Sequence, residues 1–285
     1  MKLLNYESNG RAKVGFLKDG EIFQIGSASS IEALLSLGTL DEVKRKEVGS
    51  TGEEPSRIKT KPPVVAPDKI LLAAINYKAH SEEQKNPPPT EPYFFTKFRS
   101  CIIGQNDPII IPKVSKKADW EAELAVVIGK KCKYVQKSEA LSYVAGYTVA
   151  NDISFRDLQF PEGWPQRVSS LGQNWVKGKA LDSALPLGPL RVTPDEIPDP
   201  QHLRLSLKVN GVEMQNASTE DMVFSVAELI EYLSSGLTLL PGDLISTGTP
   251  AGVAVFSGMP YLKDGDVVEA AVQGIGTLRN PVKAE

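Results

Sequence analysis

Hydrophobic positions in this chain come mostly in short β-branched runs closed by Gly, Pro, Asn or Asp. KILLAAIN, PIIIP, LAVVIG, YVAGYTVAN, LRLSLKVNG, DLISTG and DVVEAAVQG each read as a strand. Near the N-terminus, LLNYE and KVGFLKDGEIFQI read as hairpin strands turned at Asp19-Gly20, followed by a helix over 31–37. Two further stretches have a clear helical reading, 79–84 and 225–234. Strands dominate without regular βαβ alternation. The pattern therefore predicts an α+β, mainly β fold, a mixed or mainly antiparallel sheet with peripheral helices.

A polar stretch, DEVKRKEVGSTGEEPSRIKTKPP, and the proline-bearing KPPVVAPDKI separate the first strands from the rest. The expected division is a small N-terminal α/β domain with its linker over 1–66 and a larger domain over 67–285. NPPPTEP reads as a mobile, proline-rich loop. The 285 residues are 41% hydrophobic and 24% charged with a net charge of −3, a globular balance with no basic footprint for nucleic acid and no polybasic membrane patch. MKLLNYESNGRAKVGF has too short an apolar run for a signal peptide, and no segment is long enough to span a bilayer. Cys101 and Cys132 lack metal-ligand spacing and fit a reducing, cytoplasmic setting; His80 and His202 alone do not make a multi-histidine zinc site.

Candidate chemistry begins at DWEAELAVVIGK. On a strand, Glu121 and Glu123 share one face, with Cα atoms about 6 to 7 Å apart. Like charges at that range repel where water is partly excluded, so a cation, a proton or full exposure must compensate. In GYTVANDISFRDLQ the strand ends at Asp152, and Ser154 with Asp157 forms a capping-box pattern that starts a short helix. Asp152 at that corner can complete an all-oxygen site with the two glutamates. Such a donor set suits a hard cation, Mg²⁺ first, then Mn²⁺ or Ca²⁺. Taken alone, the commoner reading is a turn-initiating aspartate and two solvent-facing glutamates.

The remaining candidates are also ambiguous by spacing alone. His80 and Glu83 share a helical face, as a water-activating base and its orienting carboxylate would, or as an exposed pair of little consequence. Arg156 and Gln159 share a face of the next short helix. Lys177 and Lys179 follow Trp175, and either can neutralise an oxyanion or lie over apolar surface in water. Thr247, Thr249 and the amides around Gly248 can form a small anion nest or an ordinary hairpin corner.

Taken together and in order, INYxxHxxE, DxExELAVVIG, GYTVANDISxRDLQ, WxxGKxxD…PLGP and GDLISTGTPAGV resemble the fumarylacetoacetate hydrolase family from about Pro67 to the C-terminus. The resemblance implies a mixed β-roll, usually dimeric, with a divalent cation held at Glu121, Glu123 and Asp152. It implies a water-activating pair at His80 and Glu83, a catalytic lysine at Lys179, and substrate contacts at Arg156, Gln159 and Thr249. The small N-terminal unit resembles that of the longer members. KGKALDSALPLGP departs from the common pattern after the lysine, and NPPPTEPYFFTK is unusually proline-rich. Lys97, in the FxK part of that loop, ranks behind Lys179 as a cation for the site.

The expected activity is metal-dependent hydrolysis of a C–C bond in a 2,4-diketo acid of acylpyruvate type, releasing pyruvate or a related 2-oxo acid. An isomerase, hydratase or decarboxylase acting on an unsaturated or oxo-dicarboxylic acid would use the same enolate chemistry. The expected partners are a small 2-oxo acid and a second copy of the chain.

Overall fold

The structure is a computed structural model and describes residues 1–36, 52–160 and 173–285. All seven apolar runs form strands. An eleven-stranded sheet has the main order Glu21–Gln24, Arg11–Lys18, Lys2–Ser8, Leu185–Val192, Val144–Asn151, Ala122–Ile128, Leu244–Ser246, Ile70–Ala73, Phe94–Thr96. Its pairs are antiparallel except Leu244–Ser246 with Ile70–Ala73, and the short Ile102–Ile103 beside Leu185–Val192, which run parallel. A five-stranded sheet, Val212–Ser218, Arg204–Val209, Val267–Val272, Gly276–Ala284 and Ile109–Ile111, packs against the centre of the first. Covered on both faces, Ala122–Ile128 and Val144–Asn151 are buried at every position, which explains their near-continuous apolar runs. The result is the expected mainly β, mixed roll with peripheral helices.

The N-terminal strands turn at Asn9-Gly10 as well as at Asp19-Gly20. All four residues have positive φ, as two-residue hairpin turns require. The expected unit 1–66 continues the large sheet, because Leu3 pairs with Arg191 across the strands. Alternation along Lys2–Ser8 splits its side chains. Leu4 and Tyr6 join the main core, while Leu3 packs with Val14, Ile25, Ile31 and Leu34 in a second cluster that includes the helix Ile31–Ser36. Position 37, the expected end of that helix, lies outside the described residues, as does all of DEVKRKEVGST.

The helix expected at 225–234 forms as Val226–Ser234 behind a Ser225–Glu228 capping box, and that expected at 79–84 forms as Lys78–Glu83. The capping box expected at Ser154–Asp157 does not form. Phe155 precedes the one-turn helix Arg156–Gln159, Ser154 Oγ donates to the Asp152 carbonyl at 3.0 Å, and Asp157 instead accepts from Ser115 Oγ and Lys116 N. Ser154 lies on a two-residue strand paired to Asp119, so its extended backbone directs the hydroxyl away from the helix amides.

Two one-turn helices carry no clear sequence signal, Trp175–Lys179 and Ala254–Ser257. The first packs on Arg156–Gln159 through Gly178, where an added Cβ would stand 2.4 Å from Gln159 Cβ. Gly178→Ala is therefore expected to lose about 1–3 kcal/mol of stability through overpacking, read as a lower Tm in thermal unfolding.

Candidate active site

Cross-strand pairing assembles the acidic cluster. Ala122 pairs with Asn151, so the preceding Glu121 lies opposite Asp152, whose N–H donates to the Glu121 carbonyl at 2.8 Å. Glu123, two residues along, points to the same side. Ligand oxygens of Glu121, Glu123 and Asp152 all lie within 4.8 Å of one another, and all three residues are buried. The strand pairing that buries Leu124–Ile128 thus also brings the three carboxylates together.

Cations surround two of them. Lys179 Nζ donates to Glu121 Oε2 and Asp152 Oδ2, both at 2.7 Å, and Arg156 Nη2 donates to Glu121 Oε1 at 2.6 Å. Buried Lys97 lies 2.8 Å from Asp152 Oδ1, with hydrogen bonds to the carbonyls of Ile153 and Ala184. Asp152 Oδ1 consequently has a charge contact but no hydrogen bond. Glu123 has no ion-pair partner among the described residues; Ser246 Oγ and the Gly248 N–H donate to its Oε2. Four buried carboxylates, with Asp119 as the fourth, thus face three buried cations.

The titration behaviour follows from this imbalance. Burial would raise Glu121, but Lys179 and Arg156 outweigh it and hold its carboxyl well below the usual range. Burial and the charges of Asp152 and Glu121 push Glu123 well above that range. Burial also raises Asp152, against the pull of Lys179 and Lys97.

These residues fit a divalent cation. The donors are all oxygen, Asp152 Oδ1 is a buried acceptor without a hydrogen bond, and the Lys179 ammonium already stands where a cation bridges two of the carboxylates. A raised Glu123 carboxyl holds a proton more readily than a free carboxyl, and that proton competes with a metal ion for the same oxygens. Affinity for Mg²⁺ is therefore expected to weaken as pH falls. Calorimetry in buffers of different ionisation enthalpy should show proton release, and a titration without buffer dependence would contradict it.

Arg156 Nε also donates to Asp119 Oδ2 at 2.8 Å, and its Nη1 donates to Gln159 Oε1 at 2.9 Å. Each of the three nitrogens thus makes one hydrogen bond, and Arg156 directs the Gln159 amide nitrogen outward, toward Gln173. Asp119 also accepts from the backbone amides of Ala254 and Val255, tying a one-turn helix to the site.

His80 Nδ1 lies 3.1 Å from Glu83 Oε2, and Glu83 Oε1 accepts from Gly252 N at 3.1 Å. A small cavity of about 100 Å³ is lined by His80 and Gln84 together with Glu121, Arg156, Gln159 and Lys179. Tyr93, Phe95, Trp175 and Phe256 form its apolar wall, with Trp175 stacked on Phe95 at 4.6 Å. A larger cavity of about 600 Å³ lies elsewhere, lined by residues such as Leu17, Ile22, Ile58 and Leu190, and holds none of these groups.

Lys177 is exposed, whereas Lys179 is buried. The nest around Gly248 does hold a carboxylate, but it is that of Glu123. Thr247 Oγ1 donates to the Leu124 carbonyl, and Thr249 Oγ1 donates to the Ala122 carbonyl and accepts from Gln215 Nε2. Sequence reasoning missed Gln84, Gln173 and Ser246, gave Lys97 too little weight, and assigned no role to Asp119. Asp119 did have a signal, as the first residue of DxExE.

An all-oxygen carboxylate cluster able to hold a divalent cation adjoins a cavity lined by His80, whose ring faces Glu83, an arrangement suited to metal-assisted catalysis. The chain belongs to the fumarylacetoacetate hydrolase family, since the family model described as fumarylacetoacetate (FAA) hydrolase C-terminal matches residues 69–283. It is 46% identical over 221 residues to the bovine (Bos taurus) oxaloacetate tautomerase FAHD2A, mitochondrial, covering 77% of this chain and 68% of that protein. It is 41% identical to the 2,4-didehydro-3-deoxy-L-rhamnonate hydrolase of Sphingomonas sp., covering 99% and 96%. Among solved structures, a fumarylacetoacetate hydrolase from Exiguobacterium antarcticum superposes with a TM-score of 0.86 at 32% identity and full coverage of both chains. The family performs hydrolase and isomerase chemistry, and this chain is an enzyme of that family. No helix among the described residues is long and apolar enough to cross a membrane.

Proposed function

We propose that the chain is a divalent-metal-dependent hydrolase that cleaves the C3–C4 bond of a 2,4-dioxo acid, releasing pyruvate or a related 2-oxo acid. The carrying observation is that His80, its Nδ1 facing the Glu83 carboxylate, lines the same cavity as Glu121, Gln159 and Lys179. The relative matched over nearly the full chain supports the reading, because its name places oxidised carbons at positions 2 and 4 of an acid. Buried, unpaired Cys101 and Cys132 suit a reducing compartment.

A divalent cation held by Glu121, Glu123 and Asp152 would supply Lewis-acid stabilisation of negative charge on the substrate's 2-oxo oxygen. His80 takes a proton from water as the water oxygen bonds to C4, and Glu83 holds the ring in the orientation this requires. The Gln159 amide, fixed by Arg156, donates to the oxyanion at C4, and Lys179 lends its charge. As the C3–C4 bond breaks, its electron pair passes to the 2-oxo acid fragment. His80 returns the proton to C3, leaving a carboxylic acid and a 2-oxo acid. Arg156 acts through Gln159 and Glu121, to which its Nη1 and Nη2 donate.

One observation favours a second reading, tautomerisation of a 2-oxo acid: Gln84 covers the His80 nitrogen that water would need. A panel of acylpyruvates, oxaloacetate and hydroxymuconate-type acids, assayed with Mg²⁺, Mn²⁺ and EDTA, separates the two. Hydrolysis of a 2,4-dioxo acid should yield two fragments, with Mg²⁺ and not with EDTA. A single isomeric product across the panel would establish the tautomerase instead.

A further inference from the structure

The His80 ring has both nitrogens occupied. The Glu83 carboxylate on Nδ1 can only accept, so Nδ1 carries the hydrogen and Nε2 of the neutral ring is an acceptor. Gln84 Nε2 lies 2.7 Å from that Nε2 and donates to it. The hydrogen bond fixes the tautomer that a general base needs while covering its lone pair. Water cannot be activated at Nε2 until Gln84 moves away.

Gln84 is free to do so. It ends the helix Lys78–Glu83 as its C-cap, and the next residue, Lys85, has a φ of 57°, so the chain leaves the helix there. Among the described residues, its side chain makes no hydrogen bond other than the one to His80. A rotation about its own χ angles releases the ring without disturbing the helix.

The cavity indicates what would draw Gln84 away. Its polar wall is made of carboxamides, Gln84, Gln159 and Gln173, beside aromatic rings. The cations on that wall, Arg156 and Lys179, are already held by Asp119, Glu121, Gln159 and Asp152. Among the described residues, the acyl end of a substrate therefore meets neutral amides rather than a free positive charge, in a space of about 100 Å³. A short acyl chain with a hydroxyl gives the displaced amide a new partner. An alkyl chain offers that amide no partner in the cavity, and the Gln84–His80 bond persists.

We infer that Gln84 selects the acyl group: it covers His80 Nε2 and is drawn off by a short, uncharged, hydroxyl-bearing acyl chain, which exposes the base for water. This selection rests on the hydrolase reading. It reconciles the covered imidazole with hydrolysis, because the substrate itself uncovers the base.

The test compares 5-hydroxy-2,4-dioxohexanoate with 2,4-dioxohexanoate, in wild type and in Gln84→Met, with Mg²⁺. Methionine keeps the length and removes the donor. Wild type should prefer the hydroxylated acid by about 3- to 10-fold in kcat/KM, the net worth of one hydrogen bond, and Gln84→Met should reduce that ratio to near one. A second measurement reads the contact without turnover. In a His202→Asn background, ¹⁵N spectra of the ligand-free protein report His80 alone. Gln84→Met should move the Nε2 resonance toward that of an unbonded pyridine-type nitrogen. An unchanged ratio in Gln84→Met, or an unchanged Nε2 resonance, would overturn the inference. Equal cleavage of both acids by wild type would overturn the selection and leave the hydrolase reading standing. Cleavage of neither would overturn both.

Discussion

Glu123→Ala is expected to lose metal-dependent turnover by on the order of 10³-fold, the equivalent of several kcal/mol of charge stabilisation. Glu123 is the carboxylate of the triad with no ion-pair partner among the described residues, held by Ser246 Oγ and Gly248 N. Its removal therefore takes away a metal ligand without stranding a buried cation. The fold should survive, and a rise in Tm on adding Mg²⁺, present in wild type, should vanish in the mutant. Glu123→Gln adds a pH signature. The folded-state carboxyl of Glu123 is raised, so its stabilising contribution is full below the unfolded carboxylate value and is lost as pH rises toward the raised value. In EDTA, the Tm advantage of Glu123→Gln over wild type should therefore widen as pH rises through that window. Full Mg²⁺-dependent activity in Glu123→Ala would remove the triad from the mechanism.

The second large effect is expected at His80. His80→Ala should slow hydrolysis of a 2,4-dioxo acid by about 10² to 10⁴-fold, the usual worth of a general base. Affinity for Mg²⁺ should stay near wild type, because His80 is not one of the three carboxylate ligands. Glu83→Gln should shift the rate in the same direction, since it removes the charge facing Nδ1 at 3.1 Å. Decarboxylation of oxaloacetate, where present, needs no water nucleophile and should suffer much less. Measured kcat values for both reactions in both mutants decide the matter. If both reactions are unaffected, the pair has no part in the chemistry.

Much of the architecture was legible because strands and their turns are local. The β-branched runs, the Asp19-Gly20 turn and the helix at 225–234 all formed where their residues stand. The helix Trp175–Lys179 was not legible, since its packing against Arg156–Gln159 through Gly178 is a long-range contact. The Ser154–Asp157 box fitted the motif and still failed, because pairing with Asp119 held Ser154 extended. A four-residue pattern does not record what the neighbouring strand requires.

The sequence by itself determined which chemical groups are available and which of them share a face. The strand period puts Glu121 and Glu123 on one side, and the helical period puts His80 beside Glu83. The tertiary structure alone decided how each group is used. Glu123 takes the Gly248 amide across 125 residues of chain, so the nest that looked ready for a substrate carboxylate is filled from within. Arg156 gives its nitrogens to Asp119, Glu121 and Gln159, so it positions other groups instead of offering a free charge. Lys97 reaches Asp152 from just beyond the edge strand Phe94–Thr96, a closer approach than its place behind Lys179 implied. In each case the physical reason is the same: a buried charge or donor must be satisfied by whatever the fold brings within about 3 Å, and sequence separation does not encode that distance.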